Sequence, residues 1–225
     1  MSQHIAFVTG AMGGLGTAFC QAFDKAGYKV VAAYHPEFDD KEAWLAEQKA
    51  EGFTNFIPVA CDVGNYESCV AAAAEAEKLA GGVIDVLVNN AGIQHVANVE
   101  DFPVERWDAV IAINLSSAFH TTRLALPAMQ AANWGRIINV ASVHGLVASA
   151  QKAAYVAAKH GIVGLTKVTA LENATRDITC NAICPGWVLT PLVQKQVDAK
   201  AQAQGISNAE ATQQLLGEKE PSMQF

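Results

Sequence analysis

Short, almost wholly apolar segments alternate with longer helical segments along the 225 residues of the chain. Segments that are apolar on both faces are typical of strands in a parallel sheet covered by helices on each side. Since crossovers between parallel strands are right-handed, we expect an α/β fold with a doubly wound parallel sheet. No linker interrupts residues 1–225, so we expect a single domain. The predicted strands are residues 5–9, 28–33, 56–60, 84–88, 136–141 and 178–183, and the predicted helices are residues 14–26, 41–51, 66–80, 104–130, 155–173 and 190–218.

A glycine-rich turn joins the first predicted strand to the first predicted helix, with the sequence Thr9-Gly10-Ala11-Met12-Gly13-Gly14-Leu15-Gly16. Glycines allow a tight turn and let the backbone approach a ligand closely. The helix that follows presents free N–H groups and the positive end of its dipole to a phosphate. Many glycine-rich loops bind nothing, but the place of this one between a strand and a helix favours a dinucleotide pyrophosphate. We therefore expect a Rossmann-type, dinucleotide-binding domain.

Tyr155 and Lys159 lie four residues apart in a predicted helix and so share one of its faces. A phenol has a pKa of about 10, too high for proton transfer near neutrality, and a neighbouring ammonium lowers that pKa. Tyr155 could then give a proton to a ketone oxygen or take one from an alcohol, while Ser142, after the fifth strand, hydrogen-bonds the same oxygen. Alone, Tyr155 would suit a core edge and Lys159 a solvated helix face. Together the three indicate a catalytic site.

Four motifs in chain order resemble those of the short-chain dehydrogenase/reductase family: the Thr-Gly-x-x-x-Gly-x-Gly turn, Asn89-Asn90-Ala91-Gly92, Tyr155-x-x-x-Lys159 and Pro185-Gly186. The resemblance implies hydride transfer between a nicotinamide and the substrate carbon, with the charge of the oxidised nicotinamide helping to lower the tyrosine pKa. It implies that Lys159 also holds the nicotinamide ribose, that Asn114 supports a water-linked proton path, and that Asp62 binds the adenine amino group. The cofactor residues implied in this way are Thr9, Gly10, Gly14, Leu15, Gly16, Asp62, Val63, Asn90, Ala91, Gly92, Tyr155, Lys159, Pro185, Gly186, Val188 and Thr190.

The segment after the second predicted strand bears on the form of the cofactor. NAD sites usually place an acidic residue here to hold the ribose 2′-OH, whereas NADP sites use a basic residue. Residues 33–41 contain no Arg, and Glu37, Asp39 and Asp40 would repel a 2′-phosphate. We therefore predict NAD; the same acids would also suit a solvated turn.

The second half of the chain resembles the (R)-3-hydroxybutyrate dehydrogenases in residues 89–95, 135–150, 155–161, 181–187 and 221–225. Acetoacetate, the ketone that such enzymes form, carries a carboxylate close to its carbonyl, and a lysine with imidazole and amide donors suits that group. A coenzyme A thioester has no such carboxylate. The resemblance also implies a helical lid over residues 188–220. The implied substrate residues are Gln94, Ser142, His144, Lys152, Tyr155, Trp187 and Gln196.

Two other functions stay open. Residues 10–16 and 41–49 look more like the acetoacetyl-CoA reductases, which favours reduction of the thioester with NADPH or NADH. A dinucleotide-binding protein without catalysis is the other alternative, but Ser142, Tyr155 and Lys159 are all present. Isolated His144, Lys152 and glutamine residues would also suit a turn or a solvated surface, so their role depends on the set as a whole.

Charge and composition limit the kinds of binding partner that we expect. The formal charge is −7, so we expect no nucleic-acid partner, because phosphate binding needs a basic face. We see no run of transmembrane length and no signal peptide, and therefore expect no membrane partner and a cytoplasmic protein. Five cysteines without a Cys-x-x-Cys pair predict neither a metal site nor a disulfide framework. The family resemblance implies a homotetramer. Members of that family continue past the position of residue 225, so we expect this sequence to be incomplete.

Overall fold

A six-stranded parallel sheet forms the centre of the computed structural model, which describes residues 3–217 apart from the side chains of residues 191 and 192. Its strand order is β3-β2-β1-β4-β5-β6. The order changes direction once, where the chain returns after β3 to place β4 on the other side of β1. This confirms the predicted doubly wound α/β fold. The strands are β1 Ile5–Thr9, β2 Lys29–Tyr34, β3 Phe56–Ala60, β4 Val86–Asn89, β5 Trp134–Val140 and β6 Asp177–Ile183.

Helices follow the strands and cover both faces of the sheet. Their bounds differ from the predicted ones by at most two residues, except in the two regions described below. The helices are α1 Gly14–Lys25, α2 Lys41–Ala50, α3 Tyr66–Ala80, α4 Val104–Ile111, α5 Ser117–Ala132, α6 Ala153–Glu172, α7 Pro191–Gln204 and α8 Asn208–Gly217.

The single helix predicted over residues 104–130 is wrong in one respect. A π-helical turn, Ala112–Ser116, separates α4 from α5 and adds one residue to the helical repeat there. At its other end α5 runs two residues further than predicted and stops at Asn133, whose left-handed backbone (φ +52°) closes the helix. The chain then enters β5 at once, which is why that strand begins at Trp134.

The core has two layers because successive side chains of a strand point to opposite faces. On one face Phe7 and Leu87 pack with α3 and α5, and on the other Val8 and Val88 pack with α1 and α2. All four side chains are almost completely buried. Burial on both faces is the reason why these strands are apolar throughout, as the sequence indicated.

The chain divides into two compact units, residues 1–184 and 185–225. The first contains the sheet and α1 to α6. In the second, Thr190 caps α7 by accepting a hydrogen bond from the Val193 N–H at 3.3 Å. Gly205, with φ +64°, ends α7, and a new cap formed by Ser207 and Glu210 starts α8.

The helical segment predicted over 190–218 is therefore two helices. Residues 218–225, which include the resembling stretch 221–225 and the end of the predicted lid 188–220, lie outside the described residues, and the lid stays a prediction. Within residues 3–217, no helix is long and apolar enough to cross a membrane. Over the same range no group of three or more side chains suits a metal ion. All five cysteines carry free thiols.

Candidate active site

The carboxyl ends of β1 and β4 are joined by hydrogen bonds around Thr9. Its hydroxyl accepts from the backbone N–H groups of Asn90 and Ala91, at 2.9 and 3.0 Å, and donates to the carbonyl of Val88 at 3.3 Å. The Asn90 side-chain amide donates to the carbonyls of Thr9 and Gly10, at 3.0 and 3.1 Å. These bonds hold the glycine turn against the segment that follows β4, so two of the predicted cofactor segments are neighbours.

The glycine turn leaves no room for side chains at two positions. Gly10 has a left-handed backbone (φ +60°), and a Cβ there would lie 2.9 Å from the Cα of Ala91. A Cβ on Gly16 would lie 2.1 Å from the carbonyl oxygen of Gly10. Helix α1 starts at Gly14 with no side-chain cap and no acidic residue in its first turn. Its opening N–H groups are thus available to an anion, and the turn fits a dinucleotide pyrophosphate.

The ends of β2 and β3 extend this edge of the sheet. The Cys61 N–H donates to the Tyr34 carbonyl at 2.8 Å and places Asp62 next to the end of β2. The Asp62 carboxylate accepts from the Gly64 N–H at 3.0 Å and lies 4.0 Å from the His35 imidazole, and both side chains are about half exposed. Val63 is buried in the core. The predicted adenine residue therefore lies on the same edge as the glycine turn.

Ser142, Tyr155 and Lys159 come together beyond the end of β5. Ser142 follows that strand by two residues and hydrogen-bonds Tyr155, which lies in the first turn of α6. Lys159 lies one turn further along α6, with its ammonium 5.6 Å from the centre of the Tyr155 ring. The ammonium donates to the Val140 carbonyl at 2.7 Å, and Lys159 as a whole is 4% exposed. The structure thus brings the three predicted catalytic residues into one buried cluster.

Burial changes how these groups titrate. It lowers the pKa of Lys159 to about 8, because the charged form is desolvated. It also raises the pKa of Tyr155, and the hydrogen bond with Ser142 offsets this only in part. In the chain by itself the pKa of Tyr155 therefore lies above its ordinary value. The predicted lowering, which combines the Lys159 ammonium with the positive charge of an oxidised nicotinamide, stays a prediction.

Asn114 lies in the π-helical turn between α4 and α5 and is buried. Its side-chain amide makes two hydrogen bonds with the backbone of Ile93, accepting from the N–H at 2.8 Å and donating to the carbonyl at 2.9 Å. The extra residue of the π turn interrupts the regular helix where this amide meets the loop after β4. Asn114 therefore fixes the start of the loop that carries Gln94.

Besides Ser142 and Tyr155, three of the predicted substrate residues lie in the first unit. His144 is buried, its Nδ1 lies 3.3 Å from the Ser142 hydroxyl, and its ring meets the edge of the Tyr155 ring with centres 6.0 Å apart. The Nε2 of Gln94 is buried and has no hydrogen-bond partner within residues 3–217. Lys152 caps the start of α6 and forms a backbone bridge with Ala97.

The remaining predicted residues belong to the second unit, and their part in the site stays a prediction. They are Pro185, Gly186, Trp187, Val188, Thr190 and Gln196.

A buried polar network behind the site was not anticipated. Asn89 in β4 donates to Asn139 in β5 at 2.8 Å and accepts from Thr121 in α5 at 2.6 Å. Asn139 in turn donates to Thr166 in α6 at 2.8 Å. The network ties β4 and β5 to α5, which follows Asn114, and to α6, which carries Tyr155. Its signal in the sequence is two asparagines inside otherwise apolar strands, where an unpaired amide would be costly.

Comparisons with known proteins agree with this geometry. The family profile described as short chain dehydrogenase matches residues 4–201. A D-beta-hydroxybutyrate dehydrogenase of Cupriavidus necator is 56% identical over 100% of this chain and 86% of its own. An acetoacetyl-CoA reductase of the same organism is 41% identical over 86% of this chain and 78% of its own.

Among solved structures, an actinorhodin polyketide ketoreductase with NADPH superposes with a TM-score of 0.91 at 32% identity, covering 99% of this chain and 85% of the other. The family profile spans most of the chain, and the identities extend along the whole sheet. The chain is therefore an enzyme of the short-chain dehydrogenase/reductase family.

Proposed function

We propose that this enzyme interconverts (R)-3-hydroxybutyrate and acetoacetate with NAD(H). The observation that carries the proposal is the buried cluster in which His144 contacts both Ser142 and Tyr155, beside the segment that leads to Lys152. A hydride-transfer site needs only the hydroxyl, phenol and ammonium. The imidazole, the Gln94 amide and the Lys152 ammonium are donors that suit a substrate carboxylate. Among the described residues the Gln94 Nε2 has no hydrogen-bond partner.

In the direction of reduction, the Ser142 hydroxyl donates a hydrogen bond to the ketone oxygen of acetoacetate. Tyr155 then gives its phenolic proton to that oxygen as the carbonyl carbon becomes tetrahedral. The Lys159 ammonium, held near the ring through the Val140 carbonyl, favours the phenolate left behind. In the direction of oxidation the phenolate takes the proton back. The hydrogen bond with Ser142 already favours the ionised phenol, which partly offsets its burial.

The residues present fit a nicotinamide dinucleotide. The N–H groups that open α1 would hold the pyrophosphate, Asp62 the adenine amino group, and Lys159 the nicotinamide ribose. When bound, this cofactor supplies or accepts the hydride and, in its oxidised form, brings a positive charge close to Tyr155. Asn114, pinned to Ile93, keeps the neighbouring loop in place.

NAD rather than NADP is supported by the loop after β2. Glu37 is exposed there, and Lys41, the next lysine along the chain, is paired with Glu42 at 3.1 Å. One observation favours the second candidate, NADPH-dependent reduction of acetoacetyl-CoA. The Lys41 ammonium lies 5.7 Å from the centre of the Tyr34 ring at the end of β2, where a 2′-phosphate would gain from a cation.

We further propose a homotetramer in the cytoplasm, with α7 and α8 as a lid over the substrate. The tetramer is supported by apolar side chains exposed on α5 and α6, such as Phe119 and Leu171. The cytoplasm is supported by five free thiols, which suit a reducing compartment. Light scattering of the purified protein tests the assembly, and a monomeric mass would contradict it.

The decisive experiment measures NADH and NADPH absorbance during turnover of acetoacetate and of acetoacetyl-CoA. We expect the highest kcat/KM with acetoacetate and NADH. Tyr155→Phe, which keeps the ring and removes the proton, should lower kcat by about 10³-fold. A preference for the thioester would contradict the substrate, and undiminished turnover by Tyr155→Phe would contradict the mechanism.

A second experiment tests the carboxylate site. Lys152→Ala should raise KM for acetoacetate by about tenfold or more, since an ion pair with hydrogen bonds is lost. It should hardly change KM for ethyl acetoacetate, the uncharged ester with the same ketone. Lys167→Ala removes an exposed lysine from the same helix and is the matched control. Equal effects of Lys152→Ala on both ketones would remove Lys152 from the site.

A further inference from the structure

The loop after β4 and the loop before α6 are joined by a short backbone bridge. The Ala97 N–H donates to the Gln151 carbonyl at 3.0 Å, and Ala97 pairs in parallel with Lys152. The Gln151 side-chain amide also donates a hydrogen bond to the side-chain oxygen Oδ1 of Asn98 at 3.3 Å. The first loop carries Gln94 and the second leads into Lys152. The bridge therefore couples the two segments that carry proposed carboxylate donors.

The first of these loops is held at both of its ends. Asn114 fixes Ile93 with two hydrogen bonds, and Gln151 fixes Ala97. Gln94 lies between the two anchors, and its buried Nε2 has no hydrogen-bond partner within the described chain. A buried donor without a partner is costly unless a ligand completes it. An anchored loop holds such a donor ready in one position instead of letting it turn to a partner elsewhere.

Gln151 has a left-handed backbone, with φ +63°. Side chains larger than hydrogen are disfavoured in this region, and β-branched ones most strongly. Within residues 3–217 only Asn133 shares this conformation among residues other than glycine, and it closes a helix. Gln151 closes no helix; its turn directs its carbonyl to Ala97 and leads directly into the start of α6. An unfavourable conformation at this place is the kind of strain that functional sites retain.

We propose that Gln151 is a positioning residue for the substrate carboxylate. Its left-handed backbone sets the bridge to Ala97, and the bridge sets the separation between the Gln94 amide and the Lys152 ammonium. Gln151 thus determines the preference for a short keto acid over an uncharged ketone without contacting either. This inference rests on the proposed function, which assigns the carboxylate to Gln94 and Lys152.

Two substitutions separate the backbone conformation from the side chain. Gln151→Gly keeps the left-handed turn and loses only the exposed bond to Asn98, so KM for acetoacetate should stay within about twofold of wild type. Gln151→Val disfavours the turn, so KM for acetoacetate should rise about tenfold, equivalent to ~1.4 kcal/mol. KM for ethyl acetoacetate should change less than about twofold in both variants. If Gln151→Val does not fold, Gln151→Ala carries the same test with a KM rise of about threefold.

Asn133 provides the matched control, since its backbone is also left-handed and it lies just before the amino end of β5, away from the carboxyl ends of the strands. Asn133→Val should lower the melting temperature but leave both KM values unchanged. If Gln151→Val and Gln151→Gly give the same KM for acetoacetate, or if Gln151→Val raises both KM values alike, the inference is overturned. In that case a Lys152→Ala effect confined to acetoacetate would leave the proposed function standing. If Lys152→Ala has no such effect, the proposed function fails first.

Discussion

The close packing of α1 against the glycine turn predicts that Gly16→Ala weakens folding and cofactor binding together. A Cβ at this position would lie 2.1 Å from the Gly10 carbonyl oxygen and 2.8 Å from the Cα and carbonyl oxygen of Ala11. All three are backbone atoms, so no side-chain rotation can relieve the contact. The first helical turn of α1 must therefore move away from the glycine-rich loop by roughly 1 Å, so that the new Cβ reaches van der Waals distance from these backbone atoms.

The size of the effect follows from this displacement. Overpacking usually costs about 1–3 kcal/mol, and rigid backbone on both sides places Gly16→Ala at ~3 kcal/mol. In a chain of this size that loss lowers Tm by about 6–12 °C. The N–H groups that open α1 move with the helix, so we expect the Kd for NADH to rise at least about tenfold, or ~1.4 kcal/mol.

Thermal unfolding followed by circular dichroism and titration of NADH fluorescence measure the two effects. Gly13→Ala is the matched control in the same turn, because its backbone is ordinary (φ −89°) and its Cβ would meet only the Gly10 oxygen, at 3.5 Å. We expect Gly13→Ala to stay close to wild type in both assays. A Gly16→Ala protein with wild-type Tm and Kd, or a Gly13→Ala protein as damaged as Gly16→Ala, would refute the reasoning.

Two further predictions concern the buried polar groups. The pKa of Lys159 falls from 10.5 to about 8 on folding. Below about pH 8 the buried ammonium therefore lowers the free energy of unfolding by its full amount, and this penalty disappears as the pH rises towards 10.5. Lys159→Met should thus be more stable than wild type by about 2 kcal/mol at pH 7, allowing for the lost bond to Val140, and inactive. Urea unfolding from pH 7 to 10 measures this, and a difference that does not shrink with pH contradicts it. Asn139→Leu should destabilise by about 2–4 kcal/mol in urea unfolding, since Asn89 and Thr166 lose their buried partner; a loss below about 1 kcal/mol would show that the network relaxes around the gap.

The sheet and the catalytic cluster were accessible from the sequence because they depend on local patterns. Strands that are apolar on both faces require cover on both sides, and glycines at 52 and 81 mark the ends of helices with left-handed turns. The spacing of Tyr155 and Lys159 needs only a helix to bring them together. The carboxyl ends of parallel strands then share one edge, which places Ser142 and Asn90 on the same side of the sheet.

Other features depend on contacts between distant residues and leave no local signal. The π-helical turn interrupts a helix whose apolar pattern looks continuous. Within it, the side-chain amide of Asn114 hydrogen-bonds Ile93, 21 residues earlier in the chain. The direction in which the pKa of Tyr155 shifts is set by burial, and the spacing of residues in the sequence does not show burial. The bridge between Ala97 and Lys152 joins two loops whose sequences contain neither a turn motif nor a strand pattern.

The strand order has a consequence for how such an enzyme can diverge. The segments that follow β1 and β3 carry the residues proposed for the pyrophosphate and adenine. The segment between β5 and β6 carries Ser142 in its loop and Tyr155 and Lys159 in α6. The two halves of the sheet meet along one seam, where Ala6, Phe7 and Val8 pair with residues 86–88. Recombination between residues 81 and 85 would cut the chain once and require compatibility along that seam, in the packing of α3 against α5, and in the hydrogen bonds of Thr9. Nucleotide preference and substrate choice can therefore be inherited as separate modules.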